Sequence, residues 1–369
     1  MLIFRKVSVD LFKNKKNLFN IIFLLAVFAF TMYSVFHGKD MSDIFARVMQ
    51  ASPGYLIIGV ICVIFFIYGE SHIIHYMLDT LNIKSRRFTC FLYSCAGFFF
   101  SCITPSASGG QPAQIYYMKR NKIPIPVSTV VLMIVTITYK LVLVVIGLFL
   151  TLFQQGFVHK YLEGILPVFY LGIGLNVFCV TAMMILVFNQ KLAKAIILKG
   201  HNILVKMHIM KHKPERAEKL AKSMDSYNDT AAYLRTNKMV IVKVFAITLL
   251  QRFAMFFATY FTYLAFGLHG EKIYDVVMLQ AVISVSVDML PLPGGMGISE
   301  NLFLIIFLPI FGQDLLMPGM LLSRGLGYYT QLLLSAVLTC VAHVTIGKHG
   351  AETEILGKKH ELKSGGNRK

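Results

Sequence analysis

The stretch Thr104-Pro105-Ser106-Ala107-Ser108-Gly109-Gly110-Gln111-Pro112 interrupts an otherwise apolar part of the chain, between the runs 88–103 and 113–118. Proline lacks an amide donor and glycine is costly inside a helix, so no regular helix passes through this stretch. A broken, polar backbone at membrane depth is tolerated only where protein buries it or where it lines a water-filled cavity. A second break, Pro291-Leu292-Pro293-Gly294-Gly295-Met296-Gly297, lies far down the chain. The two breaks predict a helical membrane bundle built around them.

The composition agrees with this class. Hydrophobic residues make up 56% of the 369 residues and charged residues only 15%, which is typical of a polytopic helical membrane protein. The formal net charge is +18, but lysine and arginine concentrate in the N-terminus, the short loops and the tail, as the positive-inside rule predicts. Membrane topology and contact with anionic lipid therefore explain the charge better than nucleic-acid binding, and we expect no direct nucleic-acid partner.

The apolar runs and the charge pattern predict an all-α protein with about six full spans and two re-entrant hairpins. The predicted spans are 18–36, 54–78, 126–153, 165–188, 244–266 and 317–346. The predicted outer loops are 37–53, 154–164 and 267–273. A basic N-terminus (1–17) and a disordered tail (347–369) are both predicted to be cytoplasmic. The basic segment 189–243 is predicted to be either an amphipathic helix on the anionic inner leaflet or a plain cytoplasmic linker.

Each break is predicted to lie at the tip of a hairpin. The apolar arm 88–103 would be about 24 Å long as a helix, which is shorter than a hydrocarbon core of roughly 30 Å. Arg87 and Lys119 flank the first hairpin, so it should enter from the cytoplasmic side. The second hairpin, with arms 274–290 and 298–311, has no basic flank until Arg324 and should enter from outside. Because the order span, hairpin, span occurs twice, the pattern predicts an inverted repeat with a site near the membrane midplane.

Charged side chains inside predicted spans cost a few kcal/mol or more unless they face a cavity or a partner. One interpretation is a polar cavity in which cations hold a lipid phosphate, the amides of the broken helices add donors, and Asp288 and Glu300 receive an ammonium group. The alternative is that these charges pair with each other and lock the bundle. Glu70 either extends to the inner interface, which we predict, or takes part in the site. The candidate headgroup or cavity residues are Thr104, Ser106, Ser108, Gly109, Gly110, Gln111, Lys140, Arg252, Asp288, Pro293, Gly294, Gly295, Gly297, Glu300 and Arg324.

Catalytic and metal-binding motifs are missing from the sequence. It contains no GxSxG, HExxH, P-loop or dinucleotide-binding pattern. Ser106 and Ser108 have no general base placed with them, so we expect them to hydrogen-bond freed backbone groups or a ligand. His72 and His75 share one helix face but lack further ligands. The sequence therefore predicts no catalytic residue, no metal site and no cofactor.

Taken together, the breaks resemble the motifs of the lysylphosphatidylglycerol synthase transmembrane family, the flippase half of the multiple peptide resistance factor. Residues 104–112 are similar to its TPSASGGEP-type motif, and residues 291–300 to its PxPGGxGxxE motif. The resemblance extends over roughly 15–346. Two positions depart from the pattern: Gln111 stands where the family often has glutamate, and Lys140 lies near the place of a frequent arginine.

This resemblance implies a flippase-like domain at 18–346 in a multi-pass protein of the bacterial cytoplasmic membrane, with both termini cytoplasmic. It implies a protein that handles or translocates phosphatidylglycerol or its lysyl ester and contributes to resistance to cationic peptides. Longer relatives carry a soluble aminoacyltransferase domain that uses lysyl-tRNA, which we expect this chain to lack. Two alternatives stay open: a phosphatidylglycerol lysyltransferase, or a membrane subunit serving a separately encoded one, and a transporter of another polar solute or polyprenyl-linked glycan. A homo-oligomer is compatible with each of them.

Overall fold

The computed structural model describes residues 41–189 and 214–346. These residues are almost entirely helical and contain no strand, which confirms the all-α class. The predicted span 18–36, the basic N-terminus, the tail and residues 190–213 of the basic segment lie outside the described residues.

Thirteen α-helices follow one another in the described residues. They are α1 (Met41–Met49), α2 (Pro53–Thr80), α3 (Arg87–Ile103), α4 (Gly110–Arg120), α5 (Ile125–Phe153), α6 (Gln155–Leu162), α7 (Leu166–Phe188), α8 (Pro214–Thr236), α9 (Lys238–Ala265), α10 (Ile273–Val287), α11 (Ile298–Ile306), α12 (Leu308–Arg324) and α13 (Thr330–Thr345). Short 3-10 turns occupy Pro105–Ala107, Glu163–Ile165 and Pro293–Gly295, and a π-helical turn, Gly325–Tyr329, joins α12 to α13.

Five helical stretches of the described chain are long and apolar enough to cross a membrane: Pro53–Thr80, Ile125–Phe153, Gln155–Phe188, Lys238–Ala265 and Leu308–Thr345. They correspond to five of the predicted spans, but three boundaries were wrong. The third stretch begins at Gln155 rather than at 165. The last begins at Leu308 rather than at 317, and it is interrupted at Gly312, which has φ 66° and ψ 172°. The fourth begins at Lys238 rather than at 244.

Two predicted loops contain helices. The loop 37–53 includes α1, and the loop 154–164 includes α6. The polar residues of 154–164 suggested a loop, but its apolar residues recur at helical spacing and one face packs onto the bundle. The buried residues of α6 are Phe157, Val158, Tyr161 and Leu162.

The pair α2 and α9 forms the centre of the bundle and makes its most extensive helix contact. Close approach depends on Gly69 of α2, where a Cβ would lie 3.0 Å from the side chain of Gln251 on α9. On one side α3 packs between α2 and α13, and on the other α5 packs against α7 and α9. The two largest clusters of buried hydrophobic residues meet along α5 and α9, because each of these helices contributes residues to both clusters.

The first arm of each hairpin is short. With 17 residues, α3 is about 25 Å long, and α10 with 15 residues is about 22 Å long. The returning arms are shorter still, because α4 has 11 residues and α11 has nine. The predicted second arm 298–311 was therefore too long: α11 ends at Ile306, and α12 starts two residues later.

The described part of the basic segment packs onto protein. Met224, Tyr227, Ala231 and Leu234 of α8 are buried against the bundle, and the hydroxyl of Tyr227 donates a hydrogen bond to the carbonyl of Leu186, at the end of α7. This face of α8 therefore covers the ends of α5 and α7.

Candidate functional site

The two breaks follow the same backbone path. Each begins with an extended residue, Thr104 (φ −120°, ψ 147°) or Leu292 (φ −120°, ψ 134°). A proline follows, and the residue after it is left-handed: Ser106 has φ 50° and Gly294 has φ 57°. The next residue is left-handed in both as well, Ala107 at φ 54° and Gly295 at φ 64°. A left-handed conformation costs a non-glycine residue about 1–2 kcal/mol, so the first break stores backbone strain that its glycine-rich counterpart avoids.

The structure places the two breaks in contact with each other. The hydroxyl of Ser106 donates a hydrogen bond of 3.3 Å to the carbonyl of Leu290, 184 residues away. The hydroxyl of Tyr328 donates one of 3.0 Å to the carbonyl of Cys102, near the end of α3. The ring of Tyr328 also covers Gly294 so closely that a Cβ there would overlap it. Tyr328 therefore holds the first hairpin and the second break together.

A three-residue charge cluster lies beside this junction. Asp288, directly after α10, accepts a 2.6 Å hydrogen bond from Lys140 Nζ on one oxygen and a 3.4 Å hydrogen bond from Arg252 Nη2 on the other. The guanidinium of Arg252 stacks on Tyr139, 3.5 Å from the ring centre. The side chains of Lys140 and Asp288 are 13% and 18% exposed, whereas Arg252 is 6% exposed. Two cations thus share one carboxylate, and the cluster carries one surplus positive charge.

The cluster also contains an unused donor. Within the described chain, Arg252 Nε is buried and has no hydrogen-bond partner. Buried polar groups in proteins are normally satisfied, and each exception needs an explanation. An anion seated against Arg252 would satisfy this donor.

A second ion pair supports the other break. Glu300 accepts hydrogen bonds from the amide of Gly297 (2.7 Å) and the hydroxyl of Ser299 (3.0 Å), which caps α11. Its other oxygen accepts a 2.8 Å hydrogen bond from Arg324 Nε, and Arg324 Nη2 donates to the carbonyl of Gly294 at 3.1 Å. The Glu300 side chain is 4% exposed. This pair therefore fixes the second break and the start of α11.

The other candidate residues of the two breaks either make hydrogen bonds within the protein, are exposed, or are buried backbone positions. Thr104 closes the turn, since its hydroxyl accepts a 2.8 Å hydrogen bond from the Gly109 amide. Gln111 connects α4 to α5 through hydrogen bonds to the Thr136 hydroxyl and the Leu132 carbonyl. Ser106 and Ser108 are exposed. Gly110, Pro293 and Gly295 are buried backbone positions.

The charges therefore pair with each other in this conformation, as one of the two interpretations had it. The lipid interpretation stays a prediction. Sequence reasoning missed Tyr139 and Tyr328. Tyr328 had a signal, because it lies four residues after Arg324, a spacing for cation–π contact on a helix. Tyr139 had none, because its cationic partner Arg252 lies on a distant helix. The prediction for Glu70 was wrong, because this residue is buried inside the bundle.

A family model described as the lysylphosphatidylglycerol synthase TM region matches residues 18–335. The match includes both breaks and every charged residue of the two ion-pair groups. A search of curated proteins found no match. On the strength of the family match and the long apolar helices, the chain belongs to the lysylphosphatidylglycerol synthase transmembrane-region family of membrane proteins.

Proposed function

We propose that this protein binds the headgroup of phosphatidylglycerol or its lysyl ester at the junction of the two breaks and translocates it across the bacterial cytoplasmic membrane. The observation that carries the proposal is the surplus positive charge of the Lys140–Asp288–Arg252 cluster beside that junction.

A buried surplus charge is costly in a membrane protein, by several kcal/mol, unless an opposite charge compensates it. The phosphodiester of a phospholipid carries one negative charge and would complete the cluster. Arg252 Nε offers a free donor, and Lys140 is exposed enough to be reached. Hydrogen bonds from these cations to phosphate oxygens are of the strong, charge-assisted kind.

The lysyl ester brings ammonium groups as well as a phosphate. Glu300 is already engaged by three donors and Asp288 by two cations, so in our proposal neither carboxylate receives the ammonium group. The exposed hydroxyls of Ser106 and Ser108 are acceptors for the same group.

Translocation needs a site that opens to each leaflet in turn. We propose that 54–153 and 244–346 form an inverted repeat, because both contain a span, a short-armed hairpin and a break with the same backbone path. Inverted repeats in transporters place the site where two broken helices meet and open it by moving one repeat against the other. Export of the lysyl ester would lower the negative charge of the outer leaflet, which is how resistance to cationic peptides would follow.

The test is reconstitution of the purified chain into liposomes containing fluorescent lysyl-phosphatidylglycerol, with a membrane-impermeant quencher to report the accessible fraction. Wild type should make the inner-leaflet probe accessible, and Arg252→Ala should lose this activity. Lys243→Ala is the matched control, because Lys243 is an exposed cation on the same helix. Unchanged flipping in Arg252→Ala would contradict the proposal. Formation of new lysyl-lipid from lysyl-tRNA would favour a transferase instead, and flipping of a polyprenyl-linked glycan alone would favour the other transporter.

A further inference from the structure

We propose that Glu70 is a proton-binding site, and that binding of an anionic lipid headgroup is linked to protonation of its carboxyl group. The linkage rests on the proposed function, whereas the proton site rests on the surroundings of Glu70 alone.

Glu70 is enclosed by three helices. Lying on α2, it is 8% exposed, and its carboxylate oxygen accepts a 2.6 Å hydrogen bond from Gln114 Nε2 on α4. The Gln114 amide is itself held against Gly97 of α3, where a Cβ would overlap it. Because α4 directly follows the first break, this carboxyl group is attached to the first hairpin rather than to the membrane surface.

The described residues provide no cation within ion-pair distance of Glu70. The titratable side chains that interact with it electrostatically are Cys95 of α3 and Tyr139 of α5. From α13, the apolar side chains Leu334 and Leu338 pack toward this part of α2. An ionised carboxylate in such a place needs a counter-charge or several donors, whereas a protonated one needs neither.

The facing helix, α9, holds the donor that an ionised Glu70 would need. Gln251 packs on Gly69, the residue before Glu70. Its Nε2 group is buried and has no hydrogen-bond partner in the part of the chain that the structure describes. An unused amide donor therefore lies on the facing helix beside the residue that precedes Glu70.

Tyr139 connects Glu70 to the charge cluster. Its ring lies under the guanidinium of Arg252, and it interacts electrostatically with Glu70, Arg252 and Asp288. An ionised Glu70, which interacts with the same tyrosine as Arg252, offsets the surplus positive charge in part. Protonated Glu70 leaves that surplus free to bind a phosphodiester. Headgroup binding should therefore be accompanied by uptake of one proton at the Glu70 carboxylate.

Two measurements test this on the full-length protein in nanodiscs of neutral lipid. The first is titration with short-chain phosphatidylglycerol at several pH values. One linked proton makes wild-type affinity rise up to about tenfold for each unit by which the pH falls. Glu70→Gln should bind with a pH-independent affinity close to the low-pH value of wild type. Asp79→Asn is the matched control, since Asp79 is an exposed carboxylate on the same helix, and it should behave like wild type.

The second measurement is infrared titration without added lipid. The other carboxylic acids of the chain give bands of their own, so the reading is the difference from wild type. Wild type and Asp79→Asn should share a protonated-carboxyl band that grows as the pH falls and that Glu70→Gln lacks. A wild-type pH dependence in Glu70→Gln, tighter binding at higher pH, or an unchanged infrared band in Glu70→Gln would overturn the inference. If wild type binds no phosphatidylglycerol at any pH, the proposed function fails, and the infrared titration still decides whether Glu70 binds a proton.

Discussion

Replacement of Lys140 by methionine should leave the protein folded and yet weaken its binding of anionic phospholipid. In the native cluster two cations share the carboxylate of Asp288. Without Lys140, Arg252 and Asp288 remain as a one-to-one pair with no surplus charge, and methionine fills the space of the lysine stem.

The geometry permits an estimate of the change in stability. The attraction between Lys140 and Asp288 at 2.6 Å is about 6 kcal/mol for an effective dielectric constant of about 20. The substitution also removes the repulsion between Lys140 and Arg252, which share the carboxylate of Asp288, and the desolvation cost of an ammonium group, which is several kcal/mol. These contributions nearly cancel, so the free energy of unfolding should change by less than about 2 kcal/mol.

Lipid binding should respond much more strongly. A charge-assisted hydrogen bond contributes about 1.5–3 kcal/mol, so loss of the ammonium donor should raise the Kd for phosphatidylglycerol about ten- to hundredfold. The assay is titration of the purified variants in phosphatidylcholine nanodiscs, together with thermal unfolding. Lys140→Arg, which keeps the charge, should bind like wild type.

Asp288→Asn provides the opposite perturbation. It leaves two neighbouring cations without a counter-charge and should lower the free energy of unfolding by about 3–5 kcal/mol. Wild-type lipid affinity in Lys140→Met would refute the idea that a surplus charge on this cluster binds lipid. Wild-type thermal stability in Asp288→Asn would show that Asp288 does not stabilise the two cations.

Three further substitutions test the second break by thermal unfolding in detergent. Glu300→Gln should cost about 3–5 kcal/mol because it leaves Arg324 uncompensated, and adding Arg324→Met should recover part of the loss; no recovery would argue against the pairing. Tyr328→Phe should cost about 1 kcal/mol, since one hydrogen bond to the end of α3 is lost, and a neutral result would mean that this bond contributes nothing. Gly294→Ala should be more damaging than Gly267→Ala, because both glycines are left-handed but only Gly294 lies against the Tyr328 ring. Equal losses would show that the contact is unimportant.

The sequence predicted those features that depend on residues close together in the chain. Proline and paired glycines locate both breaks, and long apolar runs locate five spans. Helix α6 was missed because its four apolar residues lie among polar ones, and only burial against the bundle makes a helix of them. The start of α12 at Leu308 has no such signal, because Pro309 and Gly312 interrupt the apolar residues before 317.

The sequence around a charged residue does not identify its partner, because the partners lie far apart in the chain. Lys140 and Asp288 are 148 residues apart, and Glu70 and Gln114 are 44 residues apart. Sequence reasoning left two alternatives for the charges because either a lipid or another side chain satisfies a buried ion. The structure adds the stoichiometry of two cations to one carboxylate, which becomes visible only when the contacts are known. It also corrects the prediction for Glu70. The position of this residue in α2 suggested access to the interface, but α4 and α9 pack against this helix and cover it.

A helix broken in apolar surroundings leaves carbonyl groups without partners, at a cost that few sequences tolerate. Here distant side chains supply the donors: Tyr328 to Cys102, Ser106 to Leu290 and Arg324 to Gly294. The first two of these hydrogen bonds join the first hairpin to the second half of the chain. Each contributes about 0.5–1.5 kcal/mol net, because water can replace the donor. Wetting the junction therefore costs only a few kcal/mol, the range in which two conformations of one protein are both populated. A junction of packed apolar side chains would gain nothing from water, so a polar junction is the one that suits a transport site that must close and open.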